Sequence, residues 1–245
     1  MKIYLIPLIF LMATALPYSS YSIGAYKAGD KLNVHAASGL VLRDTPSPTG
    51  KKLITLSYGT QITVLAEGFR KTPFSVEVVK GFTIKGFWVK VRTAKGQEGF
   101  VFDGYLSKYK TPASLPNGDD PKDPGGMMSI QERYLIHHSA PKGPKVELER
   151  YETTYQHFKQ SYANGDEVEV NAGEGGSEYT IRFNKGVTIE EAYLIGKEMW
   201  FGMMDMKSTA SMRQGGLILN SEDGMHEIEV VSRGGIIHLF MRRAD

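Results

Sequence analysis

The stretch that decides the fold is residues 86–106, GFWVKVRTAKGQEGFVFDGYL. Its first half is a predicted strand that begins at Trp88, and its second half places Phe100 and Phe102 on one face of a further strand. A turn that contains Gly96 separates the two halves. Two short strands joined by a glycine turn are typical of a β-hairpin. The aromatic rings supply most of the apolar area that so small a unit buries.

The same stretch resembles the last third of a bacterial SH3-like domain, where a W-x-K-V strand, a glycine turn, a G-W-V strand and a terminal Y-L recur. The corresponding positions here are Trp88-Val89-Lys90-Val91, Gly96, Gly99-Phe100-Val101 and Tyr105-Leu106. Upstream segments resemble the earlier strands and turns of that family: Leu40-Val41-Leu42-Arg43, Thr45-Pro46-Ser47, Leu53-Ile54-Thr55-Leu56, Tyr58-Gly59-Thr60 and Ile62-Thr63-Val64-Leu65. The motifs cover about residues 32–109. Phe100 replaces the usual tryptophan, and an insertion occupies roughly residues 68–85.

The resemblance implies a small β-barrel that recognises cell-wall peptide, or another extended peptide or protein partner, on an aromatic-lined groove. Of the candidate ligand-binding residues, Trp88 and Phe100 are the expected core members, whereas Tyr58 and Tyr105 are expected at the surface. The full candidate set is Tyr58, Trp88, Phe100, Phe102 and Tyr105.

The insertion alternates in polarity and is predicted to form an extra hairpin that extends the barrel sheet. It carries four basic residues, which are candidate electrostatic contacts: Arg70, Lys71, Lys80 and Lys85.

The chain has 245 residues, enough for two small domains. Residues 1–22 are predicted to be a signal peptide, because a basic start is followed by an apolar run and a small polar segment. The apolar run is shorter than the ~20 residues that a membrane-spanning helix needs. We therefore expect export to the periplasm, the cell envelope or the medium, with no stable membrane span after cleavage. The SH3-like unit is predicted over residues 23–110.

Residues 111–126 are predicted to be a domain linker, since seven of the sixteen residues are proline or glycine. The flanking halves differ in charge. Residues 23–110 hold 14 Lys and Arg against 6 Asp and Glu, a net +8, and residues 127–245 hold 13 against 18, a net −5. One hypothesis is that the acidic half docks loosely on the basic insertion through exposed ion pairs.

Residues 127–245 are predicted to form an α+β domain, in which an antiparallel sheet packs against one main helix. The helix is predicted over residues 188–201, where Thr188 and Glu191 have the spacing of a capping box. Tyr134-Leu135-Ile136 is a candidate strand. Residues 146–162 fit either a helix or a strand, and their threonines and tyrosines favour strand. The predicted fold class is thus mainly β, with an SH3-like barrel followed by this α+β domain.

The sequence offers little chemistry for catalysis. The chain has no cysteine, which excludes thiolate nucleophiles, thiolate metal sites and disulfides. His137 and His138 are neighbours on a predicted strand and would point to opposite faces, so we expect no shared metal ion and no cofactor. Nucleic acid is not an expected partner, because an exported protein meets little of it.

The function that these observations favour is a non-catalytic binding protein. The alternative is a cell-wall hydrolase, or its accessory subunit, with a carboxylate-based site in the C-terminal domain. Glu167 with Glu169 and Glu227 with Glu229 each share a strand face, although the pattern is that of a solvated side.

Overall fold

The computed structural model describes residues 26–79, 81–112, 120–123, 127–149, 155–184, 186–200, 208–213 and 216–244. For residues 66–72, 79 and 213 it describes the backbone alone. The predicted signal peptide and most of the predicted linker lie outside these ranges. Among the described residues, no helix combines the length and the hydropathy that a membrane crossing requires.

The N-terminal sheet has seven described strands, all paired antiparallel, in the order β3-β2-β6-β5-β4-β1-β7. A single turn of 3-10 helix, Asp103–Tyr105, joins β6 to β7. The strands are β1 (Lys31–Val34), β2 (Leu40–Arg43), β3 (Lys52–Leu56), β4 (Gln61–Val79), β5 (Phe82–Thr93), β6 (Glu98–Phe102) and β7 (Leu106–Ser107).

The insertion lengthens the β4–β5 hairpin, as the sequence predicted. Its strands stay paired through Val76 and Ile84 to the turn, where Gly81 has a φ of 85° that favours glycine. The inward-facing side chains Phe82 and Ile84 are buried. The insertion therefore adds a long, two-stranded extension to the sheet rather than a separate loop.

The C-terminal sheet has eight described strands, in the antiparallel order β12-β13-β14-β15-β11-β10-β9-β8. Its strands are β8 (Val146–Glu149), β9 (Gln156–Ser161), β10 (Glu167–Gly173), β11 (Gly176–Phe183), β12 (Ser208–Arg213), β13 (Gly216–Ser221), β14 (His226–Arg233) and β15 (Ile236–Ala244). The described parts of residues 146–162 are thus strand, the favoured of the two alternatives. Two described helices accompany this sheet: α1 (Ile130–Ile136) and α2 (Ile189–Trp200).

The prediction of a strand at Tyr134-Leu135-Ile136 is wrong, because these residues end helix α1. The Ser129 side chain accepts a hydrogen bond from the Glu132 backbone, and the Glu132 side chain accepts one from the Ser129 backbone. This capping box satisfies free N–H groups at the start of the helix and offsets the strand preference of the residues that follow. The Ser-x-x-Glu spacing was present in the sequence.

Helix α2 begins as predicted, with reciprocal hydrogen bonds between Thr188 and Glu191. All seven residues from Glu190 to Gly196 are buried, so this part of the helix is covered on every side. One side packs on the C-terminal sheet, where a Cβ atom on Gly196 would lie 2.7 Å from Leu239 Cδ1. Glycine thus permits a close approach of helix and sheet.

The opposite side of α2 packs on the N-terminal unit. The Phe82 ring lies 5.0 Å from the Tyr193 ring, measured between centroids. At a second contact, the Tyr109 hydroxyl donates to Asp166 at 2.7 Å, and the Tyr109 ring packs edge-on against Phe183. The two units therefore meet through buried aromatic rings and hydrogen bonds.

The hypothesis of loose docking on the basic insertion is thereby revised. Lys85 is half-buried and opposes the rise that burial causes in the pKa of Glu190 on α2. The side chains of Arg70 and Lys71, and all of Lys80, lie outside the described residues. The described contacts between α2 and the insertion therefore include the paired rings of Phe82 and Tyr193 as well as the attraction of Lys85 for Glu190.

The described part of the predicted linker is also packed. Asp120 and Asp123 are both buried. Asp120 bonds to His137 at 2.7 Å, and Asp123 accepts hydrogen bonds from the backbone of Met127 and Met128. The composition of the segment did not predict this packing, because two buried carboxylates hold the segment in place instead of large apolar side chains.

Candidate functional site

The aromatic residues proposed from the sequence fall into two environments. Trp88 and Phe102 face each other across β5 and β6 and are buried, with exposures of 4% and 3%. The Phe74 ring lies 5.7 Å from Trp88 and 5.2 Å from Phe102. These rings pack on one another and form part of the core.

The other three candidates are half-buried. Phe100 lies on β6 between Arg43 and Lys90 in register. Tyr58 packs edge-on against the His35 ring at 6.3 Å, and Tyr105 packs edge-on against Phe102 at 5.7 Å. The structure thus does not gather the five candidates into one exposed groove.

Tyr105 instead lines a cleft between the two units, with a volume of about 410 Å³. The N-terminal wall consists of residues 35–39, Glu77, Val78 and Tyr105. The opposite wall is one side of α2 and consists of Tyr193, Leu194, Lys197 and Glu198.

His35 forms a buried part of the N-terminal wall, with 1% of its surface exposed. Its Nε2 lies 3.0 Å from the Tyr109 carbonyl oxygen. Because a carbonyl only accepts, Nε2 carries the proton and donates. Burial lowers the pKa of His35 to about 4, so the ring is neutral near pH 7 and its Nδ1 is an acceptor. This Nδ1 has no hydrogen-bond partner among the described residues.

Tyr193 is the matching buried residue of the helical wall, with 1% exposure. Burial raises the pKa of its hydroxyl to about 12. That hydroxyl has no hydrogen-bond partner within the described ranges. Lys197 Nζ lies 5.9 Å from the centre of the Tyr193 ring. We call these two buried residues the floor of the cleft; each carries one polar atom without a partner among the described residues.

Two carboxylates also line the cleft. Glu198 is half-buried, and burial raises its pKa while Lys197 opposes the rise. Glu77 is exposed and accepts a hydrogen bond from the Gly81 backbone at 2.9 Å. With His35 neutral, the cleft holds two carboxylates and one ammonium, a formal charge of −1.

Comparison with known proteins assigns part of the N-terminal wall to a family. Residues 38–107 match the family model of the bacterial SH3 domain. Residues 38–107 form a bacterial SH3 domain. Neither the curated proteins nor the solved structures gave a match to this chain. The matched range includes Glu77, Val78 and Tyr105 of the cleft, and it confirms the resemblance seen in the sequence.

The SH3 domain is held against α2 by a buried acidic cluster. The Tyr26 hydroxyl donates to the Leu106 carbonyl and to Glu191 Oε1. Asp103 accepts a hydrogen bond from the Phe87 backbone at 2.7 Å. Burial raises the pKa of both Asp103 and Glu191 to about 7; Glu191 adds to the rise at Asp103, and Glu190 adds to the rise at Glu191. These contacts set the position of the helical wall.

The histidines considered for metal binding are engaged in protein hydrogen bonds. His138 Nδ1 donates to the Tyr134 carbonyl at 2.6 Å, while its Nε2 accepts from the Lys110 backbone at 2.7 Å. Both ring nitrogens are thus in use, and burial lowers the pKa of His138 to about 4. In the described ranges, no three His, Asp or Glu side chains form a metal-binding group.

The carboxylates named for a hydrolase are paired with cations on one sheet face. Glu167 contacts Lys159 and Arg182, and Glu169 contacts His157. Glu227 and Glu229 both contact Arg242. Paired in this way, the four side chains fit the solvated strand faces expected from the sequence.

The sequence did not reveal the residues that form the cleft floor. His35 follows β1 outside any recognisable motif, and Tyr193 belongs to the apolar stripe of α2. The sequence held one partial indication: Tyr193 and Lys197 are four residues apart, a spacing that places both on one side of a helix.

Proposed function

We propose that this chain is an exported, non-catalytic binding protein. Its bacterial SH3 domain recognises cell-wall peptide, or another extended peptide or protein partner, in the cleft beside Tyr105. The observation that carries this proposal is the position of the cleft, one wall of which belongs to the SH3 domain. A bacterial SH3 domain suggests a binding role, and the cleft supplies a place for it.

The size and lining of the cleft support a short, extended ligand. About 410 Å³ lies in the usual range for small-ligand sites and is too little for a folded partner. The half-buried Tyr105 ring supplies apolar contact, and the backbone of residues 36–39 supplies hydrogen-bonding groups. An extended peptide has both kinds of surface.

Export is the part of the proposal that rests on sequence alone. Residues 1–22 have the basic start, apolar run and polar end of a signal peptide. N-terminal sequencing of the protein from the cell envelope or the medium tests it. A mature chain that begins near residue 23 supports export, and an intact Met1 in the cytoplasm contradicts it.

Wall binding is tested by sedimentation of the protein with purified peptidoglycan. We expect binding that weakens in Tyr105→Ala and persists in Tyr155→Ala. Both tyrosines are half-buried, but Tyr155 lies outside the cleft. Equal binding by the two variants would contradict the assignment of the cleft as the binding site. Release of soluble wall fragments would contradict a non-catalytic role.

A further inference from the structure

We propose that the cleft takes a primary ammonium group of its peptide ligand and that helix α2 supplies half of this site. The inference rests on the proposed function and specifies the ligand chemistry of the same cleft. It follows from the polar groups of the two walls rather than from the SH3 domain alone.

The cleft is rich in hydrogen-bond acceptors. Glu77 and Glu198 present carboxylate oxygens, and neutral His35 presents the lone pair of Nδ1. Lys197 is the cationic donor among the lining side chains that the structure describes. A ligand that donates hydrogen bonds and carries positive charge complements this set.

The floor groups favour the same ligand. His35 Nδ1 and the Tyr193 hydroxyl are buried and lack partners among the described residues. A buried polar atom without a partner is unfavourable, so a ligand that bonds to it gains affinity. His35 Nδ1 requires a donor, whereas the Tyr193 hydroxyl accepts or donates.

An anionic ligand group would fit poorly. A carboxylate has no proton for His35 Nδ1, and a carboxylate or a phosphate is repelled by Glu77 and Glu198. A primary ammonium has three donors on a compact head, which suits a small floor better than a planar guanidinium does.

Entry to the floor requires a side chain to shift, because both floor atoms are closed to water. Lys197 is suited to that movement, since its long side chain is flexible and its Nζ lies over the Tyr193 ring. When it moves aside, its ammonium remains available to a carbonyl or carboxylate further along the peptide. The ligand would therefore lie with its amino group inward.

The first experiment compares triglycine with N-acetyltriglycine, by titration into the isotopically labelled full chain. We expect triglycine to bind at least about ten times more tightly than N-acetyltriglycine, as is typical of a charge-assisted hydrogen bond. We also expect shifts in the amide signals of Gly39 and Leu194, one from each wall. Equal affinities would overturn the ammonium group, and shifts confined to Gly39 would overturn the role of α2.

Matched variants localise the effect. Glu198→Gln is expected to weaken triglycine binding about tenfold without changing that of N-acetyltriglycine. Glu174→Gln, an exposed residue outside the cleft, is the control and should match the wild type. Equal effects of the two substitutions, or equal losses for both peptides, would contradict the proposal.

A second experiment separates this inference from the proposed function. Peptidoglycan is sedimented with the protein before and after acetylation of its free amines. Binding that survives acetylation would preserve wall recognition and overturn the ammonium site. Triglycine binding with no sedimentation of either wall sample would preserve the site and overturn wall recognition. Loss of sedimentation on acetylation supports both.

Discussion

The Tyr26 hydroxyl donates to Glu191 Oε1 at 3.2 Å, across the boundary between the SH3 domain and helix α2. Glu191 is also half of the capping box that begins the helix. One carboxyl group therefore fixes the start of α2 and its position against the SH3 domain. Burial raises the pKa of Glu191 to about 7, which makes this contact sensitive to pH.

The first prediction concerns this acidic cluster. A carboxyl whose folded pKa is raised binds more protons when folded, so its contribution to stability is lost as pH rises. For Asp103 the loss occurs between about pH 4 and about pH 7. Asp103→Asn keeps an oxygen for the Phe87 N–H but does not ionise. We expect the variant to gain stability relative to the wild type as pH rises through this window, measured by urea unfolding.

The comparison with wild type is needed because His35 and His138 act in the opposite sense. Their pKa values are lowered to about 4, so their stabilising contribution is lost as pH falls. The wild-type profile alone mixes the two effects. A difference between variant and wild type that stays constant from pH 4 to pH 8 would contradict the buried, ionisable Asp103.

A second prediction concerns the histidines directly. His138 should stay neutral at pH 6, because burial lowers its pKa to about 4. His157 should titrate above the usual histidine range, because hydrogen bonds to Glu169 and Glu149 raise its pKa. Ring-proton NMR signals followed against pH measure both values in one sample. Titration of His138 at an ordinary pKa would show that it does not bridge Tyr134 and Lys110.

A third prediction compares two buried tyrosines. Tyr193→Phe removes a hydroxyl without a described partner, so stability should be unchanged or higher while triglycine binding falls. Tyr134→Phe removes a 2.9 Å hydrogen bond to the Lys110 carbonyl and should cost about 0.5–1.5 kcal/mol. Urea unfolding and peptide titration provide the two readouts. A larger loss of stability in Tyr193→Phe would mean that its hydroxyl is bonded.

A fourth prediction concerns Gly196. Alanine has the higher helix propensity, worth about 1 kcal/mol, yet its Cβ would lie 2.7 Å from Leu239 Cδ1. We expect Gly196→Ala to destabilise the protein. Adding Leu239→Ala should remove that penalty, since the clashing methyl groups are gone. Thermal unfolding of the two single variants and the double variant gives a double-mutant cycle. If the losses of stability in the single variants add up to the loss in the double variant, the close contact is contradicted.

The fifth prediction concerns salt. Buried aromatic contacts are screened far less than exposed ion pairs. The radius of gyration from small-angle scattering should therefore stay constant between about 50 mM and about 1 M salt. Expansion with salt would restore the hypothesis that charge holds the two halves together.

Periodicity made much of the fold predictable. The hairpin around Gly96 and helix α2 follow local patterns that the structure retains. Helix α1 was missed because Tyr134 and Ile136 favour strand, and a seven-residue helix depends on its cap and its packing.

The cleft was beyond the reach of local patterns. It exists because Tyr193 and His35, far apart in the chain, line the same cleft once α2 docks on the SH3 domain. Trp88 and Phe102 show the converse, since a motif marks them but does not tell whether an aromatic ring binds ligand or fills the core. Whether these rings bind ligand or fill the core depends on whether the insertion covers them. Here Phe74 of the insertion packs on both rings.

Because α2 is buried on both sides, the SH3 domain depends on this helix to cover part of its surface. A fragment that stops at Lys110 would uncover Tyr26 and Phe82, and the remaining half would uncover Tyr193. Each fragment would then expose an apolar surface that is buried in the full chain, and such a surface is prone to aggregation. Grafting the domain onto another protein would need α2, or a substitute for it, to travel with the graft.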